Sequence, residues 1–227
     1  MLGGVPLRLN LAALTEAELL ALYGPAGVQA RFPEISRARL QGQPILSGEV
    51  PPTLLLEDTH LTSQAPGATP QQSLALKQLH AALLETGALA DATFLLPPTH
   101  ERAFLRAYVL GETAICVRWL ELPAPPRQAD PAVFMLTWLR DRASGVACVL
   151  TTTAHAPAPA YSEEVDLHLH PEADVPELLR LHRQHVNRHG KPQKLAAAQG
   201  WRKIWQALHD LNLRSWQRRG VVVEVAE

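Results

Sequence analysis

The middle of the chain alternates apolar and polar residues between short turn signals, and this pattern constrains the fold more than any other feature. The alternating runs are Phe104–Leu110, Thr113–Leu122, Ala132–Arg140 and Val146–Thr153. Gly111-Glu112 between the first two runs predicts a hairpin, and Asp141–Gly145 predicts a second hairpin with a longer loop. Thr93–Leu96 also has the composition of a strand. Strands joined in this way pair in chain order, so the sequence predicts an antiparallel meander of four strands, or five with Val165–His170.

After Pro171 the apolar period becomes helical. Asp174 is a predicted N-cap for a helix over Val175–His189, which Gly190 ends, and a second helix is predicted from about Ala197 to Arg219, with Gly200 as an alternative start. A sheet with one apolar face must be covered, so we expect an α+β fold in which these two C-terminal helices cover the meander. We expect Trp201, Trp205 and Leu208 to pack on the sheet face that carries Ile115, Val117 and Trp119. Val221–Val225 is predicted to form a terminal strand.

The N-terminal third is predicted to be helical and looped. Thr15 and Glu18 form a capping box for a helix that ends near Tyr23, before Gly24-Pro25. A segment rich in Pro, Gly, Ser and Thr over residues 43–70 reads as loop, with a strand at Thr53–Glu57. A clearer helix begins after Thr69 and ends at Gly87. Residues 1–92 are thus an N-terminal segment, separate or part of the same domain, and residues 93–227 are the α+β core domain.

The overall composition sets broad limits. The chain has 227 residues, 47% of them hydrophobic and 19% charged, with a formal net charge of −1, which is ordinary for a globular protein. No stretch is long and apolar enough to span a membrane, and the N-terminus lacks the pattern of a signal peptide. The two cysteines, Cys116 and Cys148, form no C-x-x-C motif and are expected to be buried, reduced and inert. We expect a cytoplasmic protein, and the frequent Ala, Leu, Arg and Pro indicate a bacterial genome of high GC content.

The charge is distributed unevenly along the chain. Between Arg180 and Arg219 ten basic residues accompany a single acid, Asp210, so this segment carries +9 against about −10 for the remainder. Such a segment either engages an anionic partner, protein or nucleic acid, or docks on the acidic part of its own chain. Three tryptophans in the segment share one apolar helix face and are expected to lie in the core. The predicted anion-binding residues are Arg202, Lys203, Arg214 and Arg218.

A group of histidines provides the alternative interpretation. His182, His185 and His189 project from one side of the first C-terminal helix, and His168 and His170 share one face of the preceding strand. Imidazoles at these spacings are typical of zinc and related metals, so the second hypothesis is a small-molecule or metal-dependent enzyme that uses this histidine cluster over residues 168–189. The simpler interpretation is that His182 faces the core, while His185 and His189 form a solvated basic face. Glu163, Glu164 and Asp166 are then a charge cluster at the strand edge.

The sequence gives little support to other chemistries. It contains no G-x-S-x-G nucleophile motif and no glycine-rich phosphate loop. Cys148 alternates with Val146 and Leu150, which indicates a packing cysteine. We therefore predict a non-catalytic binding or scaffold protein without a cofactor or tightly bound metal, whose basic C-terminal helices engage an anionic partner.

Overall fold

The structure is a computed structural model that describes residues 5–59, 66–96, 102–121, 131–141, 144–195 and 200–225. The strands are β1 (Leu7–Asn10), β2 (Leu46–Glu49), β3 (Glu57–Asp58), β4 (Leu89–Leu96), β5 (Arg102–Leu110), β6 (Thr113–Glu121), β7 (Ala132–Trp138), β8 (Cys148–Thr152), β9 (Val165–Leu169) and β10 (Val222–Glu224). The helices are α1 (Glu16–Gln41), α2 (Pro70–Glu85), α3 (Val175–His189) and α4 (Gly200–Arg218). The fold is α+β, as predicted.

The described residues group into two compact units. The first unit contains the residues up to Leu54, Ala156–Glu163, and those from His209 onward. The second contains Leu55–His155 and Glu164–Leu208, so the chain passes from the second unit to the first within α4. The predicted division between residues 92 and 93 stays a prediction. None of the described helices combines the length and apolar character needed to cross a membrane.

A seven-stranded mixed sheet forms the framework of the second unit. Its strands lie in the order β3 to β9, so neighbours in sequence are neighbours in the sheet. Strands β3 to β8 pair antiparallel, which confirms the meander but makes it longer than the predicted four or five strands. The additional antiparallel strands are β3 and β4, and a second difference from the prediction is that β9 pairs parallel to β8. A parallel neighbour needs a crossover of about a dozen residues, and the connection from Thr153 to Glu164 supplies it.

Both faces of this sheet are buried at its centre. One face carries Ile115, Val117 and Trp119 and packs against Leu76 and Leu83 of α2 and Val175 and Leu178 of α3. The opposite face carries the alternate side chains. There the Phe94 ring lies 5.3 Å from Trp201, and Phe134 meets Trp205 edge-on at 6.3 Å.

The predicted packing of the tryptophans is therefore wrong in one respect. Trp201 and Trp205 are buried on the sheet, but on the face opposite to Ile115. Period-two alternation separates the two faces of a strand without saying which helix covers which face. Because Cys116 is fully buried on the second face, β6 has apolar side chains on both sides, and each face can accept a helix.

The first unit contains a three-stranded antiparallel sheet in the order β10-β1-β2. The predicted terminal strand is confirmed as β10, whereas β1 and β2 were not predicted. The capping box of α1 is present, because Thr15 and Glu18 exchange hydrogen bonds. The predicted stop at Gly24 is a break with φ 67°, after which the chain resumes a helix at Pro25 and continues to Gln41. The prediction missed this second part because it treated Gly24-Pro25 only as a stop. Proline is also tolerated at the first position of a new helix, and Pro25 occupies that position.

Smaller differences occur in the loop and in the last helix. The segment 43–70 contains β2 and the two-residue strand β3, which covers only the end of the predicted strand Thr53–Glu57. Residues 60–65 of that segment lie outside the described residues. Helix α4 begins at Gly200, and the predicted start near Ala197 also lies outside them.

Neither cysteine forms a disulfide and both are buried, as predicted. Cys116 lies on β6 and Cys148 on β8, with β7 between them. Strands two positions apart in a sheet are separated by about 9–10 Å, which is beyond the reach of a disulfide. Burial raises the pKa of the Cys116 thiol well above its ordinary value. A thiol held neutral in this way is a poor nucleophile.

Glu18 is the buried charge of the first unit. Its carboxylate is 4% exposed and accepts two hydrogen bonds from Arg219, at 2.6 and 2.7 Å, and one from the Ala160 amide at 2.8 Å. Burial by itself raises the pKa of Glu18, but the bonds from Arg219, Thr15 and Ala160 outweigh it and lower the pKa to about 2. This carboxylate thus ties together the start of α1, the segment 156–163 and the end of the α4 region.

We predict that Arg219→Ala destabilises the protein by about 3–5 kcal/mol, because it leaves the buried Glu18 charge without its cation. The matched control is Arg218→Ala, which removes an exposed pair with Glu163 and should leave the free energy of unfolding nearly unchanged, because water screens exposed ion pairs. Urea unfolding of the two variants measures both values. Equal costs would mean that the Glu18 contact is not a structural tie.

Trp205→Ala should lower the free energy of unfolding by about 3–5 kcal/mol, because it empties a site that is 94% buried against Phe134. The Trp205 Nε1 is buried and forms no hydrogen bond with the described residues. Neither Trp205→Phe nor Trp205→Ala removes a hydrogen bond. Trp205→Phe should cost clearly less stability than Trp205→Ala, because phenylalanine fills more of the site and leaves a smaller cavity. Leu74→Ala, at an exposed position, is the control for substitution itself. A melting curve that Trp205→Ala leaves unmoved would contradict the assignment.

Candidate functional site

Helix α3 presents two chemically different sides. Its buried residues are Val175, Leu178, Leu179, His182, His185 and Val186. Its basic residues Arg180, Arg183 and Arg188 are exposed. The Asp174 side chain accepts a hydrogen bond from the Glu177 amide at 2.9 Å, which confirms the predicted cap. The helix contacts β7 and β8, so imidazoles enter an otherwise apolar interface between helix and sheet.

His182 is completely buried at the centre of this interface. Its Nε2 lies 2.8 Å from the Thr137 hydroxyl, and its Nδ1 lies 2.9 Å from the Thr151 hydroxyl. Thr137 in turn lies 3.0 Å from the Thr113 hydroxyl. Both ring nitrogens therefore have partners, which makes His182 a satisfied core residue. The structure confirms the simpler interpretation for this histidine, and its threonine partners were not foreseen.

The other four predicted histidines come together around Asp166. One carboxylate oxygen, Oδ2, accepts from His168 Nε2 at 2.7 Å and from His189 Nε2 at 2.8 Å. The His168 ring stacks on His185 with centroids 3.4 Å apart and planes 6° apart, and His170 lies beside them. The sequence missed the role of Asp166, although its spacing from His168 and His170 places all three on one strand face.

The hydrogen bonds assign the protons in this cluster. Asp166 is a carboxylate that accepts, so His168 and His189 both carry a proton on Nε2. Burial raises the pKa of Asp166, but the bonds from the two histidines outweigh it and the pKa is lowered. Arg188 donates to His185 Nδ1 at 3.4 Å, so neutral His185 holds its proton on Nε2. That Nε2 and the Nε2 of His170 are buried without a hydrogen-bond partner among the described residues.

Burial keeps two of the imidazoles neutral. It lowers the pKa of His182 to about 3, with further contributions from the charges of His185, His168 and Arg183. It lowers the pKa of His185 to about 4, together with the charges of His168, Arg188 and His170, while Asp166 acts in the opposite direction. An uncharged ring also suits the stack, because two imidazolium ions face to face would repel each other.

Within the described residues, the cluster is not arranged to hold a metal ion. Within the part of the chain that the structure describes, no group of three His, Cys, Asp or Glu side chains could hold a metal ion. The nearly parallel rings of His168 and His185 explain this geometry. Imidazole nitrogens donate in the ring plane, so the lone pairs of two stacked rings run side by side and do not converge.

The basic residues of the segment 180–219 divide into two groups. Arg180, Arg202, Arg218 and Arg219 form ion pairs with Glu177, Asp58, Glu163 and Glu18, respectively. Arg202 also lies 4.5 Å over the Phe94 ring. The remaining bases form no ion pair with any described residue and are exposed; they are Arg183, Arg188, Lys191, Lys194, Lys203 and Arg214. Of the four predicted anion-binding residues, Arg202 and Lys203 belong to the second unit and Arg214 and Arg218 to the first.

Two pockets of the second unit flank α3. The smaller has a volume of about 180 Å³, lies between the β5–β6 turn and α3, and has Thr137 and His182 in its lining. The larger is open, has a volume of about 530 Å³, and is lined by Arg180, Arg183 and Gln184. Leu179, Arg183 and Asn187 line both pockets. Neither pocket was foreseen from the sequence.

Comparison with known proteins adds nothing to this geometry, since no family model, no curated protein and no solved structure matches the chain.

We predict that the free energy of unfolding falls as the pH decreases below 6.5, the ordinary pKa of His182 and His185. Both histidines have lower pKa values in the folded state, so the unfolded chain binds more protons and acid favours unfolding. The slope is at most about 1.4 kcal/mol per pH unit for each histidine. Urea unfolding between pH 6.5 and about 5 measures this slope. The interval lies above the pH range in which most carboxylates titrate, so the histidines dominate the change in stability.

The variant His185→Gln should reduce this slope, because glutamine does not titrate. His155→Gln is the control, since His155 is exposed and its removal should leave the slope unchanged. A wild-type stability that is flat across this pH range would show that the imidazoles are not held neutral.

Proposed function

We propose that this chain is a non-catalytic binding protein whose basic C-terminal helices engage an anionic partner, protein or nucleic acid. The observation that carries the proposal is the set of exposed basic residues without an ion pair among the described residues. These lie mainly in the second unit, at Arg183, Arg188, Lys191, Lys194 and Lys203. Charges that are not neutralised within the chain are available to a partner.

The ion pairs narrow the set of residues on which the proposal depends. Arg202 and Arg218 form ion pairs with Asp58 and Glu163, which partly neutralise their charge. They therefore contribute less to the binding of an external anion than the sequence suggested. Lys203 and Arg214 are the two residues of the predicted set that form no ion pair with a described residue. The emphasis therefore moves from α4 toward α3 and the residues that follow it.

The buried side of α3 supports the exposed one. His182 and His185 fix the helix on the sheet through hydrogen bonds and stacking, so the guanidinium groups on its outer side start from a rigid backbone. A rigid helix reduces the conformational entropy that binding would otherwise remove. In addition, the larger pocket beside α3 has Arg183 and Gln184 in its lining, which gives the surface a concave region where a phosphate or carboxylate can contact more than one side chain.

We predict that the double variant Arg188→Glu, Lys191→Glu, at exposed bases at the end of α3 and directly after it, weakens the binding of a fluorescent single-stranded oligonucleotide or of polyglutamate by at least about tenfold at low salt. If the ligand is the oligonucleotide, the slope of log K against log salt should also decrease by about 0.7 for each lost phosphate contact. Thermal stability should change little, because neither residue forms an ion pair with the described residues and exposed pairs contribute only about 0–1 kcal/mol. Fluorescence anisotropy and a melting curve provide the two readouts.

The control is Arg37→Glu, which reverses an exposed charge in the first unit. It should leave affinity nearly unchanged. Two outcomes would contradict the proposal: a wild-type protein that binds neither polyanion at low salt, or an Arg37→Glu protein that loses as much affinity as the double variant.

A further inference from the structure

The smaller pocket beside α3 contains two opposite charges. Glu112 belongs to the turn between β5 and β6, and Arg183 belongs to α3. The two side chains form no ion pair with each other or with any other residue that the structure describes. Four arginines of the C-terminal segment pair with acids, whereas Arg183 and Glu112 line one pocket without pairing, so both charges can interact with a ligand there.

The rest of the pocket is built for a small polar molecule. Thr113 and Asn187 provide hydrogen-bonding groups in its lining, while Leu110 and Val186 provide apolar walls. Its floor is rigid, because the buried hydroxyl of Thr137 is held between Thr113 and His182. Burial lowers the pKa of His182 to about 3, so the floor carries no charge and the electrostatics come from Glu112 and Arg183.

The size of the pocket limits the ligand. A volume of about 180 Å³ lies below the roughly 300–1,000 Å³ of sites for drug-sized molecules. It suits a molecule of a few heavy atoms. The larger pocket continues from the same residues, Leu179, Arg183 and Asn187, and gives room for a substituent.

We propose that this pocket binds a small zwitterion of the α-amino-acid class, with its ammonium group at Glu112 and its carboxylate at Arg183. The guanidinium fork matches a carboxylate with two parallel N–H donors, and the Glu112 carboxylate accepts from the ammonium group. A simple anion would meet Glu112 as a like charge, and a simple amine would meet Arg183 in the same way. The pair of charges therefore selects for a ligand that carries both.

The inference is independent of the polyanion proposal, because Glu112 repels a polyanion but attracts an ammonium group. Glu112→Gln should weaken zwitterion binding and leave polyanion binding unchanged or slightly stronger. Failure of one proposal can thus be recognised without failure of the other.

The test is isothermal titration calorimetry of the full chain with L-alanine, and with propionate and ethylamine as ligands that carry one charge each. We expect a Kd for L-alanine of about 1 mM, in the range that a ligand of few atoms reaches. Propionate and ethylamine should bind at least about tenfold more weakly, and so should L-alanine to Glu112→Gln and to Arg183→Gln protein, since each lacks one charge contact. Arg37→Gln, at an exposed arginine of the first unit, should bind L-alanine as the wild type does.

Melting curves show that each variant is folded before it is titrated. The proposal is overturned if L-alanine gives no binding heat in the millimolar range. It is also overturned if propionate binds as tightly as L-alanine, because the site would then recognise only an anion, or if Glu112→Gln has no effect.

Discussion

The contact between His182 and its two threonines is the constraint on which the second unit depends. A fully buried imidazole is costly unless both nitrogens find partners, and only one placement of α3 on β7 and β8 gives it Thr137 and Thr151 together. Apolar packing by Leu178 and Leu179 holds α3 on the sheet but allows the helix to shift along it. The two hydrogen bonds between the His182 ring and the threonines are directional and do not allow such a shift. The histidine therefore fixes the rotation and register of α3, and with them the side of the helix that faces outward.

The division of charge in the C-terminal segment follows from that placement. Imidazoles that burial holds neutral lie on the inner side of α3, and guanidinium groups that remain charged lie on the outer side. Arg183 connects the two sides of the helix. Its charge helps to lower the pKa of the buried His182, and its side chain lines both pockets. The proposed polyanion binding uses the outer side of α3, and the cluster around Asp166 packs against the buried side of the same helix.

Local patterns predicted the elements of this protein well and their mutual placement less well. The Gly111 hairpin, the Asp174 cap and the Thr15–Glu18 capping box depend on neighbouring residues, and each appears in the structure. The parallel pairing of β9 and the choice of sheet face for Trp201 depend on distant residues, which one sequence does not relate. The histidines show the same limit: spacing predicted that they share faces, but the stacking of His168 on His185 required the fold.

On the proposed function, α3 and the residues after it, held by the buried imidazoles, form the surface that binds an anionic partner. Amide chemical shifts in a titration of the full chain with a single-stranded oligonucleotide test it most directly, because they locate the contact without any substitution. We expect the largest shifts at residues 183–194, and we expect them to disappear at high salt. Shifts confined to the first unit, for example around Arg37 or Arg214, or no shifts at low salt, would contradict it.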